Sequence, residues 1–252
     1  MFSPELLWKF TLPSFEVGFG FPETQTPVFE SPDVVDGRVY IGASGGPSTG
    51  LYAFDASTGV ELWNYSPAVY DDGSNSVEAA PNAVNGVVYF GSYDGNIYAL
   101  DAHTGTKIWS YSTGNFVDSC PAVVGGVVYA GSADGKLYAL NATDGNELYS
   151  IIGSDYVFSC PTVVDGIIFA ASEYGFVYAL NAHTGTKIWY YGTGNTVSSC
   201  PVVANGVVYV SNWNYVFALS AANGNKIWSS PVGRSCISSP AVSNGIVYAG
   251  DE

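Results

Sequence analysis

Positive charge is scarce in this chain: 7 Lys and Arg stand against 22 Asp and Glu among 252 residues, a formal net charge of −15. So few cations cannot form a phosphate-neutralising surface, which excludes nucleic acid as a partner. No apolar run reaches the roughly 18 residues of a membrane-spanning helix. The opening residues Met1-Phe2-Ser3-Pro4-Glu5 lack the basic start and apolar core of a signal peptide. Only two histidines and one methionine occur, and no Gly-x-Ser-x-Gly, P-loop or metalloprotease motif appears. The four cysteines, at 120, 160, 200 and 236, include no adjacent pair.

What remains is rich in turn formers and rings: 30 Gly, 13 Pro and 19 Tyr, with 47% apolar residues, which excludes disorder. The phrase Pro-x-x-Val/Ala-x-Gly-x-Val/Ile-Tyr/Phe occurs six times, at Pro32, Pro81, Pro121, Pro161, Pro201 and Pro240. The steps between these prolines are 49, 40, 40, 40 and 39 residues. Repeats therefore begin near 26, 77, 117, 157, 197 and 236, and residues 1–25 form an N-terminal outer strand and connector to a single domain over 1–252.

In the third repeat the pattern predicts four strands, A to D, at 119–124, 127–131, 137–141 and 147–151. The A–B turn elsewhere is Asp36-Gly37, Asn85-Gly86, Asp165-Gly166, Asn205-Gly206 or Asn244-Gly245, pairs that tolerate the positive φ of a tight hairpin. Four-stranded antiparallel units recurring every 40 residues or so predict an all-β propeller of about six blades. A solenoid of stacked sheets is the competing architecture.

A second phrase, Ala-x-Asp/Asn-Ala-x-Thr-Gly-x-x-x-Trp, spans 53–63, 99–109, 139–149, 179–189 and 218–228, with Tyr149, Asp144, Ser220 and Asn223 as departures. It resembles the tryptophan-docking repeat of the quinoprotein, or PQQ-like, β-propellers, over nearly the whole chain. The resemblance implies that Trp63, Trp109, Tyr149, Trp189 and Trp228, with Trp8 at the N-terminus, pack between neighbouring blades. Gly105, Gly185 and Gly224 have no side chain and offer places where such rings can lie. Enzymes of the family pair adjacent cysteines beneath the quinone, hold calcium with Glu and Asn, and use eight complete blades. None of these maps onto this chain, so no catalytic residue and no cofactor is expected.

The ends do not match a closed ring. Residues 5–10 read as a strand D without its strand C, and 239–250 read as strands A and B alone. Three arrangements fit: the chain is part of a longer propeller; its N-terminal strand closes the incomplete blade, directly or with help from 14–24; or a strand from another chain adds to the open edge and the protein self-associates.

In a propeller the D–A and B–C loops share one face. Here that face carries Tyr70, Tyr93, Phe116, Asp118, Tyr156, Phe158, Tyr174, Trp213 and Tyr215, the expected surface for a protein or glycan partner. Cys120, Cys160 and Cys200 occupy one slot of three successive repeats. Equivalent positions in neighbouring blades are expected beyond the roughly 7 Å Cα limit for a disulfide, leaving small buried thiols or, at most, a soft-metal ring. His103 and His183 fall in a variable turn slot and read as exposed filler. The expected function is a non-catalytic binding or scaffold module, extracellular or in the cell envelope. A relative of the quinoprotein dehydrogenases is the alternative.

Overall fold

In a computed structural model of the chain, the residues described are 31–44, 49–67, 76–152, 159–197, 199–233 and 238–250. They contain strands and turns and no helix. The first sheet comprises β1 (Asp33–Val35), β2 (Arg38–Ala43), β3 (Gly50–Asp55) and β4 (Glu61–Tyr65). The second comprises β5 (Asn82–Val84), β6 (Val87–Gly91), β7 (Asn96–Asp101) and β8 (Lys107–Ser112). The third holds β9 (Ala122–Val124), β10 (Val127–Gly131), β11 (Lys136–Asn141) and β12 (Glu147–Ile152). The fourth holds β13 (Thr162–Val164), β14 (Ile167–Ala171), β15 (Phe176–Asn181) and β16 (Lys187–Gly192). The fifth holds β17 (Val202–Ala204), β18 (Val207–Ser211), β19 (Tyr215–Ser220) and β20 (Lys226–Pro231). A two-stranded sheet of β21 (Ala241–Ser243) and β22 (Ile246–Tyr248) follows.

Each four-stranded sheet is an antiparallel meander in chain order, so every strand pairs with its sequence neighbour. The hairpin turns make this possible. Asp36, Asn85, Asp165, Asn205 and Asn244 have φ of 50 to 52°, each followed by a glycine of positive φ, the geometry of the tight turns read from sequence. Strands B and C are the most buried, as in β6 and β7, where Val88, Tyr89, Phe90 and Gly91, and Ile97, Tyr98, Ala99 and Leu100, are all inside. Strand D is exposed on alternate residues, and its pairing with strand C carries a bulge directly after the residue opposite the ring, between Ala99 and Leu100 in the second sheet.

The chain divides into two compact units, Met1–Asp118 and Ser119–Glu252. In the first, Tyr40, Leu51, Val77, Val88, Phe90 and Leu100 form a core that joins the first two sheets. In the second, Phe169, Val177, Val197, Val208, Phe217 and Leu219 join the fourth and fifth. The N-terminal strand expected to complete the two-stranded sheet lies outside the described residues.

Candidate functional site

The loop-face residues divide into two kinds. In the first unit, Tyr93 of the β6–β7 turn stacks on Phe116, ring centroids 4.9 Å apart and planes within 12°. Its backbone N–H donates to Ser76 O at 2.9 Å, which fixes the turn. Burial, then the charges of Asp118 and Glu78 and a hydrogen bond with Glu78, raise the Tyr93 phenol far above its ordinary value of 10.0. Tyr93, Phe116 and Asp118 are thus brought together, half-buried, and turned toward one another.

In the second unit the aromatics point outward. Tyr174, in the β14–β15 turn, is 61% exposed, and Trp213 and Tyr215, at the β18–β19 turn of the adjacent sheet, are 53% and 41% exposed. Their turns are held from below. Buried Asn212 accepts the N–H groups of Asn214 and Tyr215 through Oδ1 at 3.0 and 2.8 Å. Gly175 donates to Ser172 O at 3.0 Å. A Cβ at Gly175 would sit 2.5 Å from Asn195 O, so that turn packs too tightly for any side chain. Tyr70, Tyr156 and Phe158, expected on the same face, lie outside the described residues.

The rings of the second phrase are placed by the C–D turn. Asp55 Oδ1 accepts the N–H and hydroxyl of both Ser57 and Thr58, at 2.6 to 3.0 Å. Those bonds hold its carboxyl down at about 2. In the next repeat Asp101 Oδ1 accepts the N–H and hydroxyl of Thr104 and the N–H of His103, bonds that also lower its carboxyl from the ordinary value. The turn so closed presents a bare glycine to the preceding sheet. A Cβ on Gly105 would lie 2.7 Å from the Trp63 ring, and one on Gly224 would lie 2.6 Å from the Trp189 ring. On Gly185 it would lie 3.0 Å from the Tyr149 ring. Each ring also donates a hydrogen bond across the sheet boundary: Trp63 Nε1 to Ala102 O at 3.1 Å, Trp189 Nε1 to Ala221 O at 2.9 Å, and Tyr149 Oη to Ala182 O at 2.5 Å. Trp109 is buried opposite Ala99, whereas Trp228 is 38% exposed. Trp8 lies outside the described residues.

The cysteines require a correction. Cys120 and Cys160 are joined in a disulfide, with their Cα atoms 4.6 Å apart. The expected spacing was that of blade bodies, whereas the short inner strands approach each other much more closely. Thr162 Oγ1 on β13 donates to Pro201 O beside β17 at 2.5 Å, a direct link at the same level of the next pair. Cys200 is half-buried, and its N–H donates to Ser239 Oγ at 2.9 Å. Two of the three sulfurs are therefore bonded to each other, not arranged as a metal ring; Cys236 lies outside the described residues. Among the described residues no three His, Cys, Asp or Glu side chains form a group able to hold a metal ion.

A ladder of serines escaped the sequence reading. Ser119 Oγ donates to Gly131 O and accepts Gly131 N–H, at 3.0 and 2.6 Å. Ser159, Ser199 and Ser238 do the same with Ala171, Ser211 and Gly250. The signal was present, since each serine lies in phase, two residues before the repeat proline.

Comparison with known proteins agrees with this architecture. The sequence finds no match among proteins of curated function. Among solved structures the chain is similar to BamB from Moraxella catarrhalis, with 23% identity and a TM-score of 0.75 over 90% of this chain and 71% of that one. It is similar to the computationally designed Ika8 protein, at 18% identity and a TM-score of 0.74, over 90% of this chain and 69% of the other. It also resembles the quinohemoprotein alcohol dehydrogenase ADHIIG from Pseudomonas putida HK5, at 20% identity and a TM-score of 0.64, over 88% of this chain and 44% of that enzyme. These likenesses show the fold, a β-propeller built from antiparallel sheets. The family model for the outer membrane protein assembly factor BamB matches residues 4–115 and 153–252, and the chain belongs to that family.

Proposed function

We propose that the protein is a non-catalytic binding module of the cell envelope whose partners are proteins, engaged through the exposed aromatics of the loop face. One observation carries the reading: Tyr174, Trp213 and Tyr215 are large, exposed rings on turns that are themselves pinned. Rigid exposed aromatics are the residue type that supplies binding energy at low entropic cost. The Cys120–Cys160 disulfide supports an oxidising compartment. The family name makes outer membrane proteins, or the machinery that assembles them, the partner class to test first.

The test uses a labelled outer-membrane β-barrel protein, unfolded in urea and diluted into buffer with the protein. Saturable binding, reduced at least about tenfold by Tyr174→Ser, Trp213→Ser and Tyr215→Ser together, is the expected result. Equal binding by the triple variant refutes this face. Tight binding of the quinone with calcium, or dye-linked alcohol oxidation, favours the dehydrogenase-like alternative.

A further inference from the structure

Three sheet-to-sheet contacts can be compared atom by atom, and one lacks a part. At the first, the carbonyl of Ala102 accepts two donors, Trp63 Nε1 and Tyr40 Oη, both at 3.1 Å. At the second, the carbonyl of Ala182 also accepts two, Tyr129 Oη at 3.0 Å and Tyr149 Oη at 2.5 Å. At the third, the carbonyl of Ala221 accepts Trp189 Nε1, and the ring that would supply the second donor is Phe169, which has no hydroxyl. The ring poses are otherwise alike: Tyr40–Trp63 centroids are 5.8 Å apart at 40°, and Phe169–Trp189 centroids are 5.9 Å apart at 46°. The residue after the accepting alanine is His103 and His183 in the first two contacts and Ala222 in the third. A cleft of about 400 Å³ opens at this place, walled by Val164, Ile167, Phe169 and Val203, with Ala221 and Ala222 in its lining.

We infer that this cleft between the fourth and fifth sheets is a binding site for a small phenol, whose ring packs on the apolar wall and whose hydroxyl donates to the Ala221 carbonyl. The chemistry is read from the sister contacts, where a phenol hydroxyl of the chain itself fills that role. The cleft is lined mainly by apolar residues, with Asp165 and Asn205 also in its lining, and it favours a ring with a donor over a plain hydrocarbon because the Ala221 carbonyl keeps an accepting lone pair. The site is separate from the loop aromatics and stands whether or not they bind protein.

Calorimetric and ligand-observed NMR titrations with para-cresol and with toluene test it on the full chain. Para-cresol should bind saturably in the millimolar range and about tenfold or more tighter than toluene. Phe169→Tyr restores the missing hydroxyl inside the protein and should abolish that binding. Ala222→His, which restores the sister residue at the cleft, should weaken it and serves as a second variant of different shape. Absence of saturable binding up to about 10 mM overturns the proposal. So does equal affinity for toluene, or unchanged affinity in both variants with their circular dichroism native.

Discussion

Trp63 over Gly105 and Trp189 over Gly224 are built to the same pattern in the two units, down to the indole N–H on the alanine carbonyl. They differ in the hydroxyl that Tyr40 has and Phe169 lacks, and in the residue after the accepting alanine, His103 in one and Ala222 in the other. A repeat therefore keeps the ring, the bare glycine and the carbonyl, and varies what surrounds them. The parts that recur hold sheets together, and the parts that vary are where ligand recognition can differ from one contact to the next.

Breaking the shared part should cost most. Trp63→Ala removes a large ring and its hydrogen bond from a packed boundary, and should lower the unfolding free energy by about 3–5 kcal/mol in urea denaturation. A loss below about 1 kcal/mol would mean that the ring does not hold the sheets together.

The glycines sharpen the same point. Gly105 has φ of +69° and meets the Trp63 ring, whereas Gly86 has φ of +78° with nothing within 4 Å of its would-be Cβ. Gly86→Ala isolates backbone strain, at about 1–2 kcal/mol. Gly105→Ala adds collision with the ring and should cost about 2–4 kcal/mol. Equal losses would show that strain alone selects glycine there.

Much of this was legible in the sequence, because the repeat allowed each residue to be compared with its own copies. Strand B of the third repeat was read as 127–131 and found as Val127–Gly131. Strand A was read as 119–124 and found as Ala122–Val124, since Pro121 has no N–H and Ser119 spends its hydroxyl on Gly131. The loop aromatics were legible as a set but not as two kinds. Tyr93, stacked on Phe116 beside Glu78, and the exposed Tyr174 stand one slot apart in corresponding turns, Ser92-Tyr93-Asp94-Gly95 and Ser172-Glu173-Tyr174-Gly175, an offset whose effect on burial only the structure reveals. The disulfide was missed because the repeat period gives the order of the inner strands and not how closely they converge.

The Cys120–Cys160 link offers the next smaller contrast, because it ties β9 to β13 in the second unit. It closes a loop with a sequence separation of 40, and reducing it should lower stability by roughly 2–4 kcal/mol, with Cys120→Ser matching the reduced protein. An unchanged melting temperature under reducing conditions would contradict a structural role. Smallest is Phe169→Tyr, which makes the third contact like the first and should stabilise by about 0.5–1.5 kcal/mol. The same change made in reverse, Tyr40→Phe, should cost a similar amount. Changes of the same sign, both variants stabilised or both destabilised, would show that the contacts are not equivalent.

The most direct measurement of where partners dock is amide hydrogen exchange of the protein with and without a urea-unfolded outer-membrane β-barrel protein. Protection at residues 173–175 and 212–215, with none at the opposite turns 182–185 and 221–224, is the result expected if the exposed aromatics form the binding face. Protection confined to 182–185 and 221–224, with 173–175 and 212–215 unchanged, would contradict it.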